Sequence, residues 1–356
     1  MLYSTCMTWH EIDTPALLVD LDAMERNLAK MARFFNGSTK LRPHYKNHKC
    51  PALAHRQMDA GAIGMTCATL SEAETLVSNG ITNVLISSEL AGGRKIARFI
   101  ELARQADVKA VVDNPKAIAS LGAACRAKQC RAGVLVNVNV GQNRTGALPG
   151  ELVLALARKV LEEGLTFRGL MGYEGHVAHQ VEGPEKESAY DRAMSALMQC
   201  RCLLEENGIR VEIVSTGGSG THHLTPRFPA ITEFQAGSYL LMDTEYANTC
   251  KDFERALTVL GTVISRTADE RVVVDAGLKS ISGEHGLPVV KTPGALRLRK
   301  LNAEHGIIDI LDSSVTLDVG DTVEIWVHYS DATVNLHDRI YGIRNGTVEE
   351  VLRLQG

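Results

Sequence analysis

Between residues 40 and 236 the chain alternates short β-rich runs with longer stretches of helical period, and this restricts it to βα units around a parallel sheet. The β runs fall at residues 40–44, 64–68, 83–87, 108–112, 133–138, 168–173, 211–215 and 233–236. Eight such units are what a TIM barrel requires. The helical stretches carry their own punctuation. Met24, Leu28, Met31 and Phe35 recur at steps of four, three and four before Asn36-Gly37, Ser71 and Glu74 read as a capping box, and residues 151–163 stop at Gly164.

Beyond residue 256 the helical period gives way to alternating β runs at 258–265, 271–275, 297–301, 322–327 and 339–344, with Asn345-Gly346 as a hairpin turn. Residues 16–20 form a ninth strand that the barrel does not need, and it is expected to pair with this later region. The expected architecture is therefore α/β: a (β/α)8 TIM barrel over residues 22–255, with a C-terminal all-β domain built from 1–21 and 256–356.

Composition narrows the function classes. A hydrophobic fraction of 45% with 22% charged residues is ordinary globular usage. A net charge of -4 without a basic run argues against nucleic acid or an anionic membrane as partner. No basic-then-apolar leader and no run of about 18 apolar residues occurs, so a cytoplasmic location is expected. The eight cysteines include no CxxC pair and are read as reduced thiols, with Cys200 and Cys202 pointing apart on one helix.

In a TIM barrel the reactive groups sit where strands end and βα loops begin. The first strand runs into RPHYKNHK, which places Lys46 at the mouth, where a desolvated amine becomes nucleophilic toward an aldehyde. A lone lysine is ordinarily a solvated amine, so position alone makes Lys46 only a candidate. Strand seven ends in Ser215-Thr216-Gly217-Gly218-Ser219-Gly220-Thr221 and strand eight in Gly237-Ser238-Tyr239. Phosphate sites of this fold are built from those two loops, and Gly-rich backbone can close on a dianion. Tyr173, His176 and His179 follow strand six, and Arg144 follows strand five. Together these are the parts needed to bind an aldehyde cofactor bearing phosphate. In the β region His328-Tyr329-Ser330-Asp331 offers two ligands for a divalent cation, an open set that substrate and water would complete.

From TPALLVDLDAMERNL through RPHYKNHK, VNVGQNRTG, GYEGH, STGGSGT, EFQAGSYLLMD, VVVDAGLKS and NAEHG to HYSDATVNLHD, the chain resembles the D-threonine aldolase and D-serine dehydratase family, whose fold is that of alanine racemase. The resemblance implies pyridoxal 5'-phosphate on Lys46 as a Schiff base, Arg144 near the phenolic oxygen and Tyr173 at the pyridine nitrogen. It places the phosphate at Thr216, Gly217, Gly218, Gly237, Ser238 and Tyr239. It makes His179, with His176 as the second choice, the general base, and His328 with Asp331 the metal pair. Two departures stand out. Asn47 replaces a small hydroxyl residue, and the metal motif is His-x-x-Asp instead of His-x-Asp or His-x-Cys.

Asp331 suits magnesium or manganese, whereas a cysteine there would suit zinc and a dehydratase. The resemblance thus implies a homodimeric lyase that cleaves D-threonine, 3-hydroxy-D-aspartate or a related D-3-hydroxy-amino acid into glycine and an aldehyde. Alternatives are a dehydratase of D-serine or D-threo-3-hydroxyaspartate and a non-catalytic pyridoxal-phosphate-binding protein.

Overall fold

The computed structural model describes residues 7–247 and 249–355. They form two compact units. One takes Met31–Lys46 and Leu53–Gly237; the other takes residues up to Lys30, then Asn47–Ala52 and Ser238–Gln355. The first strand of the chain, β1 (Ala16–Asp20), belongs to the latter.

The first unit is the barrel. Its parallel strands are β2 (Lys40–Leu41), β3 (Met65–Cys67), β4 (Asn83–Glu89), β5 (Asp107–Val112), β6 (Gly133–Asn137), β7 (Thr166–Met171), β8 (Ile213–Thr216) and β9 (Glu233–Phe234). From β3 to β9 each pairs with the next in sequence, and β2 pairs with β9. The cylinder closes between β2 and β3 through a single bridge, His44 to Thr66, where the Thr66 N–H donates to the Pro43 carbonyl at 2.8 Å. The eight strands expected from sequence are present, and their boundaries shift by up to three residues.

Side chains of a strand alternate between its two faces, so every second residue of a barrel strand points inward. Leu85, Val111, Leu135, Met171 and Ile213, one from each of five consecutive strands, pack as an interior cluster. Their sequence neighbours Val84, Ile86, Ala110, Val112, Val134, Val136, Leu170 and Val214 join the larger core formed with the surrounding helices. Near the strand N-termini the interior is polar. Buried Arg42 meets Glu233 through two bonds of 2.9 and 2.6 Å and Asn83 Oδ1 at 2.9 Å. Lys109 Nζ reaches the same Asn83 oxygen at 3.0 Å and Asp107 at 2.7 Å. Toward the strand C-termini the interior is polar again: His44 lies 3.2 Å from Ser87 Oγ, and Gln235 donates to Ser215 Oγ at 2.7 Å.

One helix start differs from expectation. The capping box belongs to Thr69 and Glu72, because Thr69 has the extended backbone of an N-cap and its hydroxyl accepts the Glu72 N–H. Ser71 already lies inside the helix Leu70–Ser78.

The second unit is a nine-stranded sheet of β1 with β10 (Leu257–Ala268), β11 (Arg271–Val274), β12 (Val289–Val290), β13 (Leu296–Leu301), β14 (Gly306–Ile310), β15 (Thr322–Trp326), β16 (Arg339–Arg344) and β17 (Thr347–Arg353). Strand β1 lies between β10, antiparallel to it, and β16, parallel to it. The unit starts earlier than the change of texture at 256 suggests. The reason is a set of bonds to the first helix, Leu21–Phe34. The Asn27 amide donates to the carbonyls of Leu240 and Glu254 and accepts the Glu254 N–H, while Arg26 pairs with the Glu254 carboxylate.

The seven described cysteines are free thiols; Cys200 is buried and Cys202 exposed, as their spacing predicts. No described helix is long and apolar enough to cross a membrane.

Candidate active site

Inward alternation carries β2 from Arg42 through His44 to Lys46, which lies in a single 3-10 turn, Tyr45–Asn47. The Lys46 N–H donates to His44 Nδ1 at 3.3 Å, so the turn is held by the same histidine that bonds Ser87 across the barrel. Lys46 is half-buried while its neighbours Tyr45 and Asn47 are fully buried, which leaves its amine on the rim.

On the far wall, Tyr173 follows β7 and connects the pieces. The Arg144 guanidinium lies 5.6 Å from the centre of its ring. A Cβ placed on Gly218 would sit 3.3 Å from that ring and 3.5 Å from its hydroxyl. Arg144, Tyr173 and the glycine loop after β8 are therefore one contiguous surface. Arg144 itself is carried by a loop with internal ties: Asn139 Oδ1 accepts the N–H groups of Gly141 and Asn143, Asp113 accepts that of Gly146, and Asn137 bonds Glu89 and Thr145.

The loop after β8 has the conformation an anion cradle needs. Gly217 has φ +104°, and a Cβ there would run into the Phe234 ring, so only glycine fits. The Gly237 N–H, after β9, has no hydrogen-bond partner among the described residues. Two glycine turns with an open N–H suit a phosphate, which answers the fit of the cofactor implied by the sequence. The Thr216 hydroxyl is turned away from the rim, toward the Gly172 carbonyl at 2.6 Å and Glu174 at 2.7 Å. In the other unit, the Ser238 carbonyl accepts the Met242 N–H, and Tyr239 is fully buried against Phe253.

His176 and His179 are exposed, the first inside the short helix Gly175–Ala178 and the second at its C-cap. Partial burial lowers the His176 imidazole pKa, Glu174 opposes the shift and Arg192 adds to it. Its Nε2 lies over Gly141, 2.9 Å from where a Cβ would be.

In the β unit, His328 Nδ1 lies 2.7 Å from Thr244 Oγ1, and Nε2 lies 3.2 Å from the His285 carbonyl. The imidazole thus has a partner at each nitrogen; the Thr244 contact is of the kind that orients a metal-ligating ring, and a cation at Nε2 would take the place of the His285 carbonyl. Asp331 opens the helix Ser330–Val334, and its Oδ1 accepts the Asn47 amide at 2.9 Å. Among the described residues no three His, Cys, Asp or Glu side chains converge on one point, so a cation here would have at most this two-residue set from those side chains. Buried Asp243 braces the helix by accepting the N–H and hydroxyl of Ser330, and burial raises its carboxyl to about 6.

Sequence reasoning missed Glu174 and Asp243 and treated Asn47 as a neutral departure. No periodicity marks any of them, since each has hydrogen-bond partners in distant parts of the chain.

Residues 19–245 match the N-terminal domain of alanine racemase, and residues 256–343 match a serine dehydratase domain. The barrel is thus that of the alanine racemase class, a fold of pyridoxal-phosphate enzymes. D-threonine aldolase of an Arthrobacter species is 37% identical over 346 residues, covering 96% of this chain and 91% of that protein. For 3-hydroxy-D-aspartate aldolase of Paracoccus denitrificans the identity is 33% over 354 residues, with the same shares. The crystal structure of D-threonine aldolase from Filomicrobium marinum superposes with a TM-score of 0.96 at 37% identity, covering 99% of this chain and 98% of that one. D-threo-3-hydroxyaspartate dehydratase of a Delftia species is 30% identical over 331 residues, 86% of each chain. The chain belongs to the family of lyases that includes D-threonine aldolase and D-threo-3-hydroxyaspartate dehydratase.

Proposed function

We propose that this protein cleaves D-3-hydroxy-amino acids, of the D-threonine or 3-hydroxy-D-aspartate type, to glycine and an aldehyde. The observation that carries the reading is the contiguous surface of Arg144, Tyr173 and the glycine loop at Gly217 and Gly218, with Lys46 following β2 and Gly237 following β9, the strand that β2 pairs with. Pyridoxal 5'-phosphate, when bound, supplies an electron sink for bond breaking at the substrate Cα. Lys46 would hold it through its aldehyde, and the loops at Gly217, Gly218 and Gly237, with Thr216, Ser238 and Tyr239 in the same segments, would enclose its phosphate, the Gly237 N–H being the glycine donor not already engaged within the protein. Tyr173 would face the ring nitrogen, and the Arg144 guanidinium the phenolic oxygen.

His328 and Asp331 would hold a magnesium or manganese ion, which lowers the pKa of a coordinated hydroxyl. Asp331, an oxygen donor, suits such hard cations. His179, or His176 beside it, removes the proton of the substrate 3-hydroxyl. Loss of that proton lets C–O become C=O as the Cα–Cβ bond breaks, giving the aldehyde; return of a proton to Cα gives glycine. For 3-hydroxyaspartate the aldehyde is glyoxylate.

Incubation of the purified protein with D-threonine and with D-3-hydroxyaspartate, with and without EDTA, tests the reading. Glycine with aldehyde, lost on chelation, is expected. Ammonia with a keto acid would instead establish a dehydratase, and no turnover with cofactor bound would leave a binding protein. A homodimer, inferred from the family resemblance, is checked by light scattering; a mass of one chain would refute it.

A further inference from the structure

Beneath the glycine loop after β8 lies a carboxylate that the proposed chemistry does not use. Glu174 is 0% exposed. Its Oε2 accepts the Thr216 hydroxyl at 2.7 Å and the Gly217 N–H at 3.2 Å, and its Oε1 accepts the Thr221 hydroxyl at 2.6 Å. These three donors come from both ends of the loop. Thr216 closes β8, Gly217 has the left-handed φ, and Thr221 lies two residues inside the 3-10 segment Ser219–Arg227. Thr221 Oγ1 in turn receives the Gly218 N–H at 3.4 Å and lies 3.1 Å from the Gly218 carbonyl, the alternative acceptor for its single proton.

We infer that Glu174 is the positioning residue of the phosphate loop: it pins Thr216, Gly217 and Thr221 from below, so the opposite face of the loop is presented to the ligand phosphate. The inference rests on the phosphate reading of the glycine loops. Charge and geometry make opposite demands here. A carboxylate buried close to a phosphate repels it, so on charge alone removing the negative charge would tighten phosphate binding. Glutamine in its place keeps one oxygen for the Gly217 N–H, but its N–H2 can only donate, so a threonine hydroxyl has to turn from donor to acceptor and the charge-assisted bonds that anchor the loop are lost. If positioning dominates, Glu174→Gln weakens phosphate binding even though it removes a repulsive charge.

The experiment compares pyridoxal 5'-phosphate with pyridoxal, which reacts with the same lysine but has no phosphate. Dissociation constants of both are measured by absorbance on wild type, Glu174→Gln and Thr221→Val. We expect the wild type to prefer the phosphorylated form strongly and Glu174→Gln to shrink that ratio at least tenfold, with Thr221→Val changing it in the same direction by less. Because the ratio is taken within one protein, a general loss of folded material cancels. An unchanged or enlarged ratio in Glu174→Gln, with the wild-type preference intact, overturns the inference alone. No preference in the wild type overturns the phosphate reading and the inference with it.

Discussion

The amide of Asn47 donates to Asp331 Oδ1 at 2.9 Å and to Ser330 Oγ at 2.8 Å. Ser330 Oγ can accept only because its own proton goes to Asp243 at 2.7 Å, so the chain Asn47, Ser330, Asp243 has one consistent direction. The residue that follows Lys46 thereby fixes the rotamer of a proposed metal ligand.

Replacing Asn47 by Ala leaves Asp331 without that donor. Contacts of this outer kind are worth roughly 10–100-fold in metal affinity, so Asn47→Ala is expected to weaken manganese binding by about that factor. Titration calorimetry of the cofactor-loaded protein measures it, and an unchanged affinity would remove Asn47 from the site.

His179 and His176 are separable by substitution. General base catalysis contributes about 10²–10⁴-fold, so His179→Ala should lower kcat by that order. His176→Ala should cost less, because its ring is already packed over Gly141 and its proton affinity is lowered by burial. Steady-state kinetics at saturating cofactor decide it; the reverse ranking would exchange the two roles.

The Arg42–Glu233 pair is buried at both ends, with side-chain exposures of 2% and 6%. Breaking such a pair from one side strands a buried charge and costs about 3–5 kcal/mol. Glu233→Ala is therefore expected to lower the urea midpoint sharply, whereas Glu233→Gln, which keeps an acceptor for the guanidinium, should lower it less.

His337 is half-buried, and its Nε2 lies 2.8 Å from the Ser280 carbonyl. Burial lowers its pKa, the Ser280 carbonyl and Asp338 opposing. The unfolded chain therefore takes up this proton first as pH falls. The stabilising contribution is complete above the unfolded value of about 6.5 and is lost as pH drops through the lower folded value. His337→Gln should flatten the acid side of a Tm-against-pH curve, and an unaltered slope would contradict this.

Much of the barrel was legible because its signals are local. Leu85, Val111 and Leu135 alternate with Val84, Ala110 and Val134 in plain view, and Gly217 and Gly237 fall after the two strands where this fold places phosphate. In the β unit, β14 went unseen because Ile308 and Ile310 are interrupted by Asp309, whose partners Arg297 and Arg299 lie a hairpin away. Asn47 and Glu174 could not be read at all. An asparagine between a lysine and a histidine, and a glutamate between a tyrosine and a glycine, look like loop polarity until their distant acceptors and donors are known.

The layer of Leu85, Val111, Leu135, Met171 and Ile213 has an electrical consequence. On β4 and β5 it separates Asn83 and Lys109 below from Ser87 and Asp113 above, so it works as a dielectric partition inside the cylinder. Charge at the barrel floor is neutralised locally, by Glu233 for Arg42 and by Asp107 for Lys109. The floor can therefore be rebuilt for stability while the pH profile of the chemistry at the mouth stays where it is.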